Sequence, residues 1–366
     1  LQIQFSIAEA SEDAAGLEPD QETMMADESS RRSTRRATLQ DVAKHAGVSP
    51  ITVSRAIRQP DKVSQKARER VREAVAKLGY IPNLSASRLA SARSYTVCAI
   101  IPSITNIVFA DVMRAIDDVF SATNYQVLIG NTRYSPIEEE KLVSKFLEHN
   151  PDGLILSGVD QTDTCRKTLE AAGVPIVQIM DYDGQAIDMN VGLSHYQAGY
   201  DITRHLIDRG RRHIGFIGAQ MDPRTQKRMQ GHFQALKDAG LDNIEGRSVS
   251  HAPSSVKIGG DLFHDLLSKQ PDLDAVFCIN DDLAMGAIFE CQRRQIAVPD
   301  QIAIAGFNDL EPSRCINPPL TTIRTPRYEM GHKAATMLVE CMNGASLSAD
   351  EAKIDIGYEL IVRSST

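Results

Sequence analysis

The sequence predicts an α + α/β protein, a small N-terminal three-helix, helix-turn-helix headpiece followed by a larger two-lobed α/β core. Three observations predict it. A compact basic segment stands between two acidic ones, two short capped helices flank a glycine turn inside that segment, and the remainder alternates β-type and α-type patterns. At 366 residues the chain exceeds one ordinary core. A hydrophobic content of 42% with 24% charged residues is that of a soluble globular protein. No run approaches the ~20 apolar residues of a membrane span, and no leader-like segment joins a basic start to an apolar run. Six cysteines without a C-x-x-C pair read as reduced, mostly buried thiols, and the expected compartment is the cytoplasm.

The first element, residues 1–36, reads as a disordered acidic tail, polar and without sustained periodicity. Leu1 to Ser30 carry eight acidic residues and no Lys or Arg. Met24 and Met25 suggest a natural start there, the preceding residues being an over-long gene assignment or a cloning addition; an ordinary acidic tail is the alternative.

Residues 37–82 form the expected headpiece. Arg31 to Arg93 hold fifteen basic against four acidic residues, a local +11 within a chain of net charge −8. A polyanion partner for this segment alone is the reading, against a merely solvated basic surface. Thr38 and Asp41 have the spacing of a capping box, and Val42, Ala43 and Ala46 give one apolar face. Gly47 ends this helix, Ser49 caps the next, and Pro50 occupies its first position, where the missing N–H costs nothing. Val53, Ala56 and Ile57 are expected inside; Thr52, Ser54, Arg55 and Arg58 are expected on the outer side. This is helix-turn-helix spacing, with a second helix sized for the major groove. Pro50, Ile51 and Arg55 are expected to face base edges, and Thr38, Ser49, Thr52 and Ser54 to hold phosphates of double-stranded DNA. Ser64 is expected to cap a third helix reaching Leu78, with Val71, Val75 and Leu78 inside.

The runs Thr38-Leu39-Gln40-Asp41-Val42-Ala43, Ala46-Gly47-Val48-Ser49, Thr52-Val53-Ser54-Arg55 and Gly79-Tyr80-Ile81-Pro82-Asn83 resemble, in order, the headpiece of the lactose/galactose repressor family. The resemblance implies a hinge helix and linker over residues 83–94, too short to be stable alone and forming when two copies pair on operator DNA. Asn83, Ala86 and Leu89 fall at its DNA-facing positions, and Leu89 matches the leucine that wedges into the minor groove. Without the family match, Leu89 would read as a linker leucine.

Residues 95–366 are expected to be the effector-binding and dimerisation core. Strand patterns at Tyr95–Ile101, Gln126–Ile129, Gly153–Leu156, Pro175–Ile179, Ile214–Ile217, Ala275–Cys278 and Ile302–Ala305 alternate with helical ones, which argues for parallel sheets flanked by helices. Two such units resemble the type I periplasmic-binding-protein fold of this family, with lobe one near Tyr95–Ser194, lobe two near His195–Ile323, and a crossing back afterwards. In open α/β sheets, ligands gather at the carboxyl ends of strands. By resemblance the cleft is lined by Ser103, Phe109, Ser157, Asp181, Arg228, Asn280 and Asn308. Arg228 precedes Gly231 by three residues, as the family's ligand arginine does, and Asn280 opens another family signature. Bland readings stand beside these: Asp281 and Asp181 as caps, Phe109 as core. Where the family commonly has Asp, this chain has Asn308, which removes repulsion toward an anion. Pro102-Ser103-Ile104-Thr105-Asn106 and Phe277-Cys278-Ile279-Asn280-Asp281-Asp282 resemble the family's gluconate-responsive branch. The implied effector is a sugar acid such as gluconate, its carboxylate gripped by Arg228; a neutral sugar is the alternative.

No phosphate loop, zinc-protease, nucleophile-elbow or C-x-x-C motif occurs, so no catalytic residue, metal site or cofactor is assigned. The carboxylates Asp309 and Glu311 read as a solvated loop rather than an acid–base pair. A sugar-binding protein without DNA function would lack Thr38 to Ser91. The expectation is a repressor, with an activator as the alternative sign. A homodimer is expected, since no leucine heptad follows Val362.

Overall fold

The computed structural model describes residues 36–81, 93–241 and 246–366, in two compact units on either side of residues 82–92. In the smaller unit, α1 (Leu39–Ala46), α2 (Pro50–Arg58) and α3 (Gln65–Leu78) enclose Val42, Ala43, Ala46, Val53, Val71, Ala74 and Tyr80. The α1 capping box is made: the Thr38 hydroxyl accepts the Asp41 N–H at 3.3 Å, and the Asp41 carboxylate accepts the Thr38 N–H at 2.8 Å. Gly47, at φ 61°, closes α1 in the left-handed conformation that glycine adopts without a Cβ penalty. The Ser49 hydroxyl accepts the Thr52 N–H at 3.2 Å. Two expectations fail locally. Ser64 precedes α3 but makes no side-chain cap bond, and Ile57 is 38% exposed while Val53 on the same helix is fully buried.

The larger unit contains two six-stranded sheets. Lobe one holds β1 (Thr96–Ile101), β2 (Gln126–Asn131), β3 (Gly153–Ser157), β4 (Ile176–Asp181), β5 (Met189–Leu193) and β11 (Lys353–Asp355), in the order β11-β5-β4-β3-β1-β2. Its helices are α4 (Ile107–Ser121), α5 (Pro136–Leu147) and α6 (Asp163–Ala171). Lobe two holds β6 (Ile214–Ala219), β7 (Arg247–Ser250), β8 (Ala275–Cys278), β9 (Ala303–Asn308), β10 (Thr321–Arg324) and β12 (Glu359–Ile361), in the order β12-β10-β9-β8-β6-β7. It carries α7 (His195–Asp208), α8 (Pro223–Asp238), α9 (Val256–Lys269) and α10 (Asp281–Arg294). The pairing is parallel except for β12 against β10. Central strands such as β1, β4 and β9 are buried along their whole length, as parallel strands covered on both faces must be.

The chain passes between lobes after β5, after β10, and between β11 and β12. After β10, α11 (Arg327–Met342) returns to pack on α4 in lobe one. Strands β5, β7, β10, β11 and β12 escape the sequence pattern; the last two have three residues each, too few for any periodicity to declare itself. Four cysteines are buried, while Cys315 is exposed and Cys341 half-buried.

Candidate DNA-reading helix and candidate effector cleft

On α2 the caps fix the start and the core fixes the rotation. Val53 faces inward with no exposed surface, which turns Ile51 and Arg55 to the outside, and Pro50 is exposed at the first position of the helix. Ile51 is 64% exposed, a large apolar side chain without cover in its own unit. Ser49 and Thr52 hydroxyls bond each other at 2.9 Å at the start of the helix. Ser54 and Thr38 are half-buried. An exposed helix face with a capped N-terminus, an apolar side chain and an exposed arginine has the side-chain types that enter a major groove. Asn83, Ala86 and Leu89, the expected hinge contacts, lie outside the described residues.

In the larger unit a cavity of about 360 Å³ opens between the lobes. Of the seven residues expected there, Ser103, Phe109, Arg228, Asn280 and Asn308 line it. Ser157 lies at the neighbouring cavity of about 310 Å³, where its hydroxyl accepts from Arg224 at 3.0 Å. Asp181 does not line the cleft. It is wholly buried, and its carboxylate accepts from Lys227 at 2.6 Å, an ion pair that joins β4 of lobe one to α8 of lobe two.

Arg228 is positioned by helix packing. A Cβ at Gly231 would stand 2.0 Å from the Tyr196 carbonyl, and one at Gly199 would stand 2.3 Å from the Arg228 carbonyl. Only glycines let α7 and α8 approach so closely, and this approach sets Arg228 at the cleft floor. Its Nε donates to His195 Nδ1 at 3.1 Å, its Nη1 to the Ile279 carbonyl at 2.7 Å, and its guanidinium stands 3.7 Å from the Phe307 ring centroid. His195 Nε2 lies 3.0 Å from the Met180 carbonyl. Burial, and then the Arg228 charge, hold His195 well below the usual histidine range. The ring is therefore neutral, with Nε2–H donating to Met180 and Nδ1 accepting from Arg228. Among the described residues no carboxylate pairs with Arg228, and burial pushes its guanidinium down to about 10. The nearby Asp222 charge offsets part of the cost of burial through space, and a buried cation with no carboxylate in direct contact gains from a ligand that supplies one.

The other expected contacts differ in kind. Asn280 is the N-cap of α10: its carbonyl oxygen accepts the Leu283 N–H at 3.0 Å and its amide donates to Ser254 at 2.6 Å. The cap is thus Asn280 and not Asp281, which is wholly buried and binds the Leu310 N–H and the Ser313 and Thr322 hydroxyls. Asn308 ends β9 at φ 114°, and its carbonyl accepts from Arg327. The Ser103 hydroxyl accepts the Asn106 N–H at 3.0 Å, and Phe109 is 3% exposed, both core element and cleft wall. Asp309 is not solvated: Arg324 and Arg363 donate to it at 2.8 and 2.6 Å, a clasp between β9, β10 and the chain end.

Sequence reasoning missed Asp222, Arg224 and Tyr134 in the cleft wall. Arg224 stands one helical turn before Arg228 on α8, a spacing that puts both on one face and could have signalled it.

This architecture, a helix-turn-helix unit joined to a two-lobed binding core, is that of a ligand-responsive DNA-binding regulator. Residues 38–83 match the bacterial regulatory proteins of the lacI family, and residues 203–366 match a periplasmic binding protein-like domain. The HTH-type transcriptional regulator GntR of Pseudomonas aeruginosa is 44% identical over 92% of this chain and 97% of its own length. A LacI-family transcriptional regulator from Silicibacter pomeroyi has a similar structure, with TM-score 0.85 and 36% identity over 90% of this chain and 99% of that one. A lac repressor dimer bound to operator and the anti-inducer ONPF gives TM-score 0.78 and 26% identity over 90% of this chain and 99% of that one. The chain belongs to the LacI family of bacterial regulatory proteins. Among the described residues no helix is long and apolar enough to cross a membrane.

Proposed function

We propose that this protein is a transcriptional repressor that holds operator DNA as a homodimer and releases it when a sugar acid, gluconate or a related aldonate, enters the interlobe cleft. Pro50, Ile51 and Arg55 read base edges; Thr38, Ser49, Thr52 and Ser54 hold phosphates; Asn83, Ala86 and Leu89 serve the minor groove. Similarity to GntR-named regulators supports a gluconate-type response. The observation that carries the effector class is Arg228, a buried guanidinium without a carboxylate partner among the described residues, facing a cavity that also presents the amide Asn308. Effector binding changes the balance between two lobe arrangements and thereby loosens the paired linkers. By linkage, operator weakens effector binding by the factor by which effector weakens operator binding.

Calorimetric titration of gluconate and glucose tests the effector. Arg228→Gln is expected to weaken gluconate by about 1.5–3 kcal/mol, the value of a charge-assisted bond. Asn308→Asp should weaken gluconate as well, by setting a negative charge near the carboxylate. Tight glucose binding without gluconate binding would sink the sugar-acid assignment and leave the repressor intact.

A further inference from the structure

Asp222 and Arg224 have no part in the proposal above, yet they put a buried ion pair in the wall of the cleft. Arg224 is 8% exposed; its Nη2 donates to Asp222 at 2.8 Å, its Nη1 to Ser157 of lobe one at 3.0 Å, and its guanidinium stands 5.8 Å from the Phe109 ring centroid. Asp222 caps α8 by accepting the Thr225 N–H at 2.8 Å. Burial alone would lower the arginine and raise the aspartate, but each holds the other in its charged form. The pair is therefore a neutral unit with a built-in donor and acceptor. It lines both the main cavity and the neighbouring one, which continues past it toward Glu139 and Asp160.

The two arginines of α8 are thus unequal. Arg224 already has its carboxylate, and Arg228 does not. Four residues of helix separate them by about 6 Å along the axis, a separation that a six-carbon chain spans. A carboxylate held at Arg228 directs the rest of such a chain along α8 to Asp222 and Arg224. Hydroxyl groups both donate and accept, and a fixed carboxylate–guanidinium pair offers both functions without adding net charge.

We propose that the Asp222–Arg224 ion pair is a second recognition element of the cleft, reading the hydroxyl-bearing end of a sugar acid whose carboxylate sits at Arg228. This rests on the sugar-acid reading and assigns its chain-length specificity to named residues. It also places the effector's distal end on Arg224, whose other contact is Ser157 of the opposite lobe, so a long acid touches the lobe-spanning bond that a short one does not reach.

The test is calorimetric titration of the full-length protein with glycerate, threonate and gluconate, the three-, four- and six-carbon members of one series. For the wild type, gluconate should bind at least about tenfold tighter than glycerate, the equivalent of one charge-assisted hydrogen bond. Arg228→Gln should weaken all three acids by a similar factor. Arg224→Gln should spare glycerate and reduce the gluconate advantage to less than about threefold, with Arg224→Lys intermediate because it keeps the charge and loses the fork. Asp222→Asn, which preserves the helix cap, should also shrink the length dependence and covers the case in which an Arg224 variant fails to fold. A full gluconate advantage in both Arg224→Gln and Asp222→Asn overturns the second element alone. Wild-type protein that binds none of the acids overturns the sugar-acid reading and this inference together.

Discussion

The outer face of α2 and the interlobe cleft carry their candidate functional side chains in opposite ways. On α2, Ile51 and Arg55 project outward, and the helix is held by its own caps and by Val53 behind it. In the cleft, Arg228, Arg224 and Asn308 are 8%, 8% and 5% exposed, and each is tied to residues far away in the chain. The difference teaches where function and stability can be separated. A side chain that only projects from a helix can be removed without unfolding anything. A member of a buried ion pair, such as Arg224 with Asp222 in the cleft wall or Lys227 with Asp181 between the lobes, cannot, because its partner remains behind without a counter-charge.

The largest expected effect is at the bond between the lobes. Lys227→Met strands the wholly buried Asp181 carboxylate, which among the described residues then keeps the hydrogen bond from the Asp183 N–H at 3.0 Å. A loss of about 3 kcal/mol in denaturant unfolding is expected, at the lower end for a broken buried pair because Lys227 retains some solvent. The double variant Lys227→Met/Asp181→Leu should recover most of it. A single-variant loss below about 1 kcal/mol, the scale of a surface pair, would break the comparison.

Arg55→Ala on α2 should do the reverse. Operator discrimination in a gel-shift series should fall by roughly 1–3 kcal/mol, while unfolding stays within about 0.5 kcal/mol of wild type. Unchanged discrimination removes Arg55 from the reading set.

The smallest effect at neutral pH, growing on acidification, is expected at His232. This ring is wholly buried among Phe216, Phe233 and Phe277, its Nδ1 lies 2.9 Å from the Thr203 hydroxyl, and burial pushes it down to about 3. Unfolded chains take up the proton near 6.5 and the folded protein does not. Stability is therefore fully present above pH 6.5 and is lost as pH falls from there toward 3, by at most about 1.4 kcal/mol per pH unit for one proton. His232→Phe should flatten that part of the pH profile of melting; an unchanged profile would assign acid sensitivity elsewhere in the core.

The headpiece was legible because its determinants are local. Thr38 with Asp41, Gly47, Ser49 and Pro50 act over three or four residues, and local rules place such residues correctly. Ser64 and Ile57 are the exceptions: the Ser64 side chain makes no cap bond, and Ile57 stays partly exposed although its spacing from Val53 suits the inner face. Five of the seven expected cleft residues line the cavity: Ser103, Asn280 and Asn308 because strand ends converge in this topology, and Phe109 and Arg228 because the helices that follow such strands start there.

What the sequence by itself determined is therefore the order of elements, the capped helices, the alternation that makes two parallel sheets, and the family. What only the tertiary structure decided is who partners whom inside. Asp181 reads as a cleft residue until Lys227, 46 positions later, is seen to neutralise it. Asp309 reads as solvated until Arg324 and Arg363 close on it. Arg224 escapes sequence reasoning altogether, and only the fold shows that it, unlike Arg228, is directly paired with a carboxylate. The reason is physical. Caps and periodicities act over a helical turn or a strand pair. The pairing of buried charges depends on which distant side chains share a low-dielectric space, and that follows from the packing of the two lobes.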